Sequence, residues 1–116
     1  VLGVSYIEDL SDTRHSPVEY LYDLLLEENA DVSIYDPYVK FWEERNVTTV
    51  QNIGTRYDAV IAAVKHSEFQ KKSFLDRLNQ IEGSVFFDAF SVYRNKYYLL
   101  ESFKEIIKIG VGYWKY

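Results

Sequence analysis

Cysteine is absent from these 116 residues, methionine is absent too, and only two prolines and five glycines occur. Without cysteine there is no disulfide framework, no thiolate metal site and no cysteine nucleophile. No apolar run approaches the ~18 residues of a membrane span, and no signal peptide is visible, so a cytoplasmic protein that avoids the membrane is expected. Basic residues are outnumbered, 13 against 18 acidic, for a net charge of −5. That balance argues against a general binder of nucleic acid or anionic lipid. No internal repeat, linker or low-complexity stretch divides the chain, and at this length one domain over 1–116 is expected. The chain opens on the apolar run Val1-Leu2-Gly3-Val4 rather than on methionine. This predicts a piece of a longer protein, lacking its N-terminal part.

What is present is largely apolar: 47% hydrophobic and 17% aromatic, with eleven tyrosines and seven phenylalanines. That is ample for a core and excludes a disordered tail. Val1–Tyr6 reads as a buried strand followed by a polar loop through His15. Ser16-Pro17-Val18-Glu19 reads as a helix start with a capping box, and apolar residues recur at helical spacing from Val18 to Leu26. Asn29 is a candidate left-handed stop. Val32–Tyr35 forms a second strand that Asp36-Pro37 must end, because proline cannot donate to a ladder. A β-α-β unit of this kind winds right-handed around a parallel sheet.

Further on, Tyr38–Arg45 reads as a short helix and Val47–Val50 as a short strand. Asp58–Val64 is the clearest central strand, apolar on both faces. A helix lies within Glu68–Ile81, with Ser67 and Ser73 both possible caps. Ser84–Asp88 is another buried strand after a turn at Gly83. Tyr97–Glu105 reads as helix and Ile106–Val111 as a last strand. The alternation predicts an α/β fold: a three-layer sandwich around a mostly parallel, Rossmann-like sheet of about six strands.

Ligands of such sheets sit beyond the carboxyl ends of the strands. Four loops qualify there: Ile7–His15, Asp36–Tyr38, Lys65–Ser67 and Ala89–Lys96. The first is the richest in chemistry. Its Arg14 stands just before a helix N-terminus that would favour a phosphate, or else pairs with Asp12 or Asp9. Asp36 stands where a dinucleotide-binding unit places its ribose acid. The matching G-x-G-x-x-G is missing, which favours a turn-capping role before Pro37. His66 ends the central strand with no second histidine or cysteine beside it, so no metal is expected and a surface or capping role is. Asp88 is placed to bind a ligand or to anchor the loop after it. No Ser-His-Asp, H-E-x-x-H or P-loop pattern is present.

The run L-G-V-S-Y-I-E-D-L-S-D-T-R-H-S-P, from Leu2 to Pro17, resembles the signature G-x-x-Y/F-K-x-x-x-x-D-x-R-x-S-P. That signature opens the C-terminal, UDP-binding domain of the UDP-glucose/GDP-mannose dehydrogenase family. Glu28-Asn29-Ala30, Val32–Pro37 with Tyr38, Asp58-Ala59-Val60, His66-Ser67-Glu68-Phe69, Phe87-Asp88 and the Phe103–Gly110 tail match further family motifs in order. The resemblance implies the third domain of an NAD-dependent nucleotide-sugar 6-dehydrogenase of polysaccharide biosynthesis. Such an enzyme oxidises a UDP- or GDP-sugar to the uronic acid by way of a thiohemiacetal and a thioester on a cysteine outside this domain. It also implies a separate N-terminal domain holding most of the NAD and a central domain forming a homodimer. The fragment alone is therefore expected to be inactive, with no catalytic residue of its own.

By the same resemblance, Arg14 reaches toward NAD, and Tyr6, Ile7, Phe90 and Ser91 fall at positions that meet the substrate nucleotide. Asp12, Ser16, Pro17, Asp36 and Pro37 structure the loops. Two departures stand out: the family lysine after Tyr/Phe is Ile7 here, and the arginine after F-D-G aligns with Phe90. Either the substrate differs, or Lys65, Arg94 and Lys96 compensate, or the chain is a degenerate, non-catalytic paralogue serving as an assembly module. A signalling receiver shares the acidic pair Glu8-Asp9. It would also need an aspartate ending strand three and a lysine ending strand five, and neither is in place.

Overall fold

The structure is a computed structural model that describes residues 1–108. Helix α1 spans Val18–Glu27 and α2 Lys72–Leu78. The strands are β1 (Phe41–Trp42), β2 (Val47–Thr48), β3 (Ala59–Ala62), β4 (Val85–Asp88) and β5 (Glu105–Lys108). Strands β3, β4 and β5 form a parallel sheet in that order, with Ala62 opposite Asp88 and Asp88 opposite Lys108. A separate antiparallel pair joins β1 to β2.

Among the described residues, the single sheet of about six strands does not form. The two N-terminal segments expected as strands join the sheet only by parallel bridges, Leu2 to Tyr35 and Leu2 to Ala62. The reason lies one residue on. Gly3 has φ +94°, so the chain leaves the extended course directly after Leu2. A Cβ on Gly3 would stand 2.5 Å from Val64 Cβ, and only glycine permits that approach. The segment order across the sheet is nonetheless that of an open parallel layer: Tyr35, Leu2, β3, β4, β5.

Adjacent residues of an extended segment face opposite sides of a sheet, and here they enter different cores. Tyr35 packs with Leu2, Val60, Phe86 and the α2 residues Phe74, Leu75 and Leu78. Ile34 packs with Val4, Val18, Trp42 and Val64, beside Tyr22 of α1. One helix therefore covers each core, and both cores are aromatic-rich. Phe86 lies between Tyr93 and Phe103, at 5.6 and 5.0 Å, both edge-on. Trp42 takes Tyr22 edge-on at 5.1 Å.

Several local expectations hold. Asn29 takes φ +63° and Gly83 +74°, each at the expected stop or turn. Others are corrected. The 38–45 stretch is β1 followed by a 3-10 turn over Glu43–Arg45, because Thr49 N–H and hydroxyl bond Lys40 and Val39 carbonyls and draw it into a hairpin. No capping box closes α1: the Ser16 hydroxyl accepts from Val18 N–H at 3.2 Å, while the Glu19 carboxylate goes to Arg45 at 3.1 Å. Neither Ser67 nor Ser73 caps α2, which follows Lys71 after a 3-10 turn over Ser67–Gln70.

The helix expected over Tyr97–Glu105 is a 3-10 turn, Tyr97–Leu99, and Glu105 already belongs to β5. Tertiary bonds claim that stretch. Tyr97 hydroxyl donates to Asp88, and Asn79 takes the Leu99 carbonyl and the Ser102 N–H. The last expected strand is present as far as Lys108, and its residues 109–111 lie outside the described residues.

Candidate functional site

Three of the four loops at the carboxyl ends of the sheet are tied into one buried hydrogen-bonded unit. Asp36 ends the Tyr35 segment with its side chain fully buried, and its carboxylate gathers four donors. Oδ2 accepts from Val4 N–H at 2.8 Å, Ser5 N–H at 3.3 Å and His66 Nε2 at 2.9 Å; Oδ1 accepts from Tyr38 N–H at 2.9 Å. That many donors compensate the burial of a charge. The turn-capping reading of Asp36 holds, and the carboxylate does considerably more than cap a turn.

His66 is fully buried rather than on the surface, which corrects the expectation for it. It follows the apolar run Ala62–Val64 and turns inward between Tyr38, at 4.8 Å ring to ring, and Phe69, at 5.4 Å. Its Nδ1 accepts the Asp9 N–H at 2.8 Å. Asp9 in turn has φ +62°, and its Oδ1 accepts from Ser67 N–H at 2.7 Å, Ser67 hydroxyl at 3.0 Å and Tyr38 hydroxyl at 3.3 Å. The Ser67 N–H foremost holds the Asp9 carboxyl below its ordinary range.

The fourth loop, 89–96, is anchored separately. Asp88, fully buried at the end of β4, accepts from Val92 N–H at 2.7 Å and from Tyr93 N–H and Tyr97 hydroxyl at 2.8 Å. Of its two candidate roles the loop anchor is the one formed. Burial foremost, with the Asp88 charge beside it, pushes the Tyr93 hydroxyl above its usual range, and that hydroxyl donates to the Phe69 carbonyl at 2.7 Å.

Arg14 lies on the outer rim. It forms a fork with Asp12, Nε to Oδ1 at 3.0 Å and a terminal nitrogen to Oδ2 at 2.8 Å, with its side chain 76% exposed. The hydrogen bonds from Arg14 are the largest cause that brings the Asp12 carboxyl down to about 2. The loop closes on itself through Tyr6 N–H to the Asp12 carbonyl at 2.8 Å.

Tyr6, Ile7 and Phe90 are half exposed, at 55, 50 and 46%, so the surface is apolar at these three positions expected to meet the substrate nucleotide. Strand β3 stands between the segment leading to Ile7 and β4 leading to Phe90, so these two side chains do not end neighbouring strands. Ser91 is left-handed, φ +57°, and its hydroxyl is buried without a hydrogen-bond partner. Lys65 and Arg94 are exposed at the same end of the sheet, and Lys96 reaches Gln70 at 3.4 Å.

A dinucleotide finds no cradle among the described residues. Gly3 is the one glycine at the turn after Leu2, and its missing Cβ makes room for Val64 rather than for a phosphate. The acid that would hold a ribose, Asp36, is buried and committed to four donors. Among the described residues no group of three His, Asp or Glu is placed to hold a metal ion, and no helix is long and apolar enough to cross a membrane.

The sequence gives Ser5 no role, offers Asp9 only as a partner of Arg14 and Ser67 only as a helix cap, and suits His66 to a surface or capping position; the structure joins all four with Tyr38. A signal was available: each is a polar residue within a few positions of a strand's carboxyl end. Nothing local says that they converge.

A parallel layer with a helix over each face and polar loops gathered beyond the carboxyl ends of its strands defines an open-sheet α/β domain. The chain belongs to the UDP-glucose/GDP-mannose dehydrogenase family: residues 1–95 match its UDP binding domain. It is 39% identical over 70 residues to a UDP-N-acetyl-D-mannosamine dehydrogenase of Methanococcus aeolicus, covering 60% of this chain and 16% of that protein. The enzyme of the same name from Methanococcus vannielii is 27% identical over 98% of this chain and 27% of its own length. A UDP-N-acetyl-D-glucosamine 6-dehydrogenase of Pseudomonas aeruginosa is 31% identical over 60% of this chain and 18% of its own. The chain thus spans about a quarter or less of these relatives.

Proposed function

We propose that this chain is the substrate-nucleotide domain of an NAD-dependent nucleotide-sugar 6-dehydrogenase that oxidises a UDP-sugar, or a GDP-sugar, to its uronic acid. The observation that carries the reading is the closed unit of Asp9, Asp36 and His66. It gathers the loop that leads into D-x-R-x-S-P, the Y-D-P segment and the H-S-E-F segment at one end of a parallel sheet. The names of the relatives favour a UDP-N-acetylhexosamine as substrate. In this reading Tyr6, Ile7, Phe90 and Ser91 border the nucleotide, and Arg14 extends from its fork with Asp12 toward NAD held elsewhere. Asp12, Ser16, Pro17, Asp36 and Pro37 shape the loops. The cysteine, most of the NAD contacts and the homodimer contacts come from other parts of a longer cytoplasmic polypeptide. When bound, NAD would supply the hydride acceptor for the two oxidations at the sugar C6, water would supply the second carboxylate oxygen, and Arg14 is the residue of this chain that would extend toward the cofactor.

The test is NAD reduction by the full-length protein with UDP-N-acetylmannosamine, UDP-N-acetylglucosamine and UDP-glucose, beside the 116-residue chain alone. Two NADH per sugar are expected from the full-length protein with one of these, and none from the isolated chain. A second reading, a non-catalytic paralogue used in assembly, is favoured by the apolar Ile7 and Phe90. It takes precedence if the full-length protein reduces no NAD with any UDP- or GDP-sugar.

A further inference from the structure

His66 is the one fully buried histidine at the meeting point of three loops, and its two ring nitrogens face different ones. A backbone amide only donates, so the Asp9 N–H at 2.8 Å requires Nδ1 to be an unprotonated acceptor. The ring hydrogen is then on Nε2, directed at Asp36 Oδ2 at 2.9 Å and shared with the Ser5 hydroxyl at 3.2 Å. Ser5 can accept there because its own hydrogen goes to the Ile7 carbonyl at 2.9 Å.

This is not the arrangement of a nucleophile triad. In a triad the serine and the carboxylate occupy opposite nitrogens, so that the ring relays a proton for one while the other orients it. Here serine and carboxylate share one nitrogen, and the other is capped by a peptide. The ring therefore serves as a fixed spacer between the sheet, through Asp36, and the 7–15 loop, through Asp9.

We propose that His66 is the positioning residue of the 7–15 loop, its Nδ1 holding the Asp9 peptide and with it the segment that presents Asp12 and Arg14 at the rim. The assignment of a ligand to that rim rests on the function proposed above; the latch itself does not. The left-handed Asp9 is what the latch stabilises, since a non-glycine residue at φ +62° needs outside support. With the peptide held, Asp9 Oδ1 lies within reach of the Ser67 N–H at 2.7 Å, and the loop end is docked at two points.

Two substitutions separate positioning from mere packing. An asparagine amide reproduces the Nδ1 position of histidine, a glutamine amide the Nε2 position. His66→Gln retains a donor for Asp36 and loses the acceptor for Asp9; His66→Asn does the reverse. Amide hydrogen exchange is measured on the 116-residue chain without nucleotide. In His66→Gln the Asp9 and Ser67 amides should exchange roughly ten- to a hundredfold faster while Val60 and Phe86 amides keep their protection. In His66→Asn the Asp9 amide should stay protected relative to the core.

Unchanged Asp9 exchange in His66→Gln overturns the proposal. Equal acceleration of loop and core in both variants also overturns it, because the ring would then be ordinary packing. Nitrogen chemical shifts of the wild-type imidazole give a check that needs no variant: a protonated Nε2 with a bare Nδ1 is expected, and the opposite tautomer refutes the latch. None of these measurements involves a nucleotide. A failed latch leaves the proposed function standing, and a protein that binds no nucleotide leaves the latch standing.

Discussion

Asp36 and His66 meet at 2.9 Å with both side chains fully withdrawn from solvent, and each has its remaining hydrogen-bonding capacity filled by a different loop. A buried carboxylate is costly unless it is satisfied, and this one is satisfied from the Val4-Ser5 turn, from Tyr38 and from the ring. The same four bonds fix where the chain goes after Leu2 and after Tyr35. The loops at this end of the sheet are therefore tied directly to the core beneath them.

Asp36→Ala should be strongly destabilising, because it strands the Val4, Ser5 and Tyr38 N–H groups and the His66 ring at once. A loss of about 3–5 kcal/mol is expected from breaking a buried network of this kind. Urea unfolding of the 116-residue chain measures it. A loss below about 1 kcal/mol would mean that water replaces the carboxylate at little cost.

Gly3→Ala should be nearly as harmful for a different reason. The new Cβ meets Val64 Cβ at 2.5 Å, at a backbone φ of +94° that side chains rarely adopt. Overpacking and strain together suggest about 2–4 kcal/mol. Thermal melting beside Gly83→Ala, where φ is +74° with nothing within 4 Å of the new atom, separates strain from collision. Equal losses at the two sites would remove Val64 from the explanation.

Arg14→Ala should leave folding almost untouched, since the fork with Asp12 is exposed and such pairs contribute little. In the full-length protein the Michaelis constant for NAD should rise while kcat changes less. A large fall in melting temperature with an unchanged constant would make Arg14 a structural residue.

The acid limb can be predicted from the same pair. Asp12 titrates near 2 in the folded chain against an ordinary 3.8, so its contribution is complete above about pH 4 and is lost as the pH falls toward 2. Asp9 is shifted in the same direction. The amide and side-chain resonances of Arg14 should therefore move in a transition centred near pH 2, and Asp12→Asn should abolish it. Raising the salt should weaken the Asp12–Arg14 part of the effect. A transition that persists in Asp12→Asn belongs to another group.

Ile7→Lys with Phe90→Arg should create or strengthen UDP binding by the isolated chain. Both positions are half exposed, so the new charges stay hydrated until ligand arrives. With β3 between them, the segments that lead to the two sites run two strand spacings apart, roughly 10 Å, which sets the span that two long side chains must bridge to one diphosphate. Two charge-assisted contacts less their ordering cost give a gain of roughly ten- to a thousandfold, shrinking with salt. Titration calorimetry decides it. Micromolar UDP binding by the wild type would mean that other residues, Lys65 or Arg94 among them, already serve.

Much of this was legible in the amino-acid sequence. The central strand at Ala59–Ala62, the start of α1 near Ser16-Pro17, the left-handed stop at Asn29 and the turn at Gly83 follow from side-chain type over a few residues, and short-range sterics enforce them. Family membership was legible too, because its motifs are contiguous. Whether an apolar segment becomes a full strand was not: Leu2 alone contributes bridges, to Tyr35 and Ala62, where six residues looked extended, since Gly3 turns the chain against Val64. The 97–105 stretch has helical character on its own. It gives way because Asp88 and Asn79, 9 and 20 residues before the groups they bind, hold Tyr97 and Leu99. Least legible was His66, whose neighbours suit a surface turn. Its burial depends on Asp36, 30 residues earlier, and Asp9, 57 earlier, arriving at its two nitrogens. Local preference specifies what each segment can become; closing a buried polar unit requires partners far apart in the chain, and only the folded arrangement supplies them.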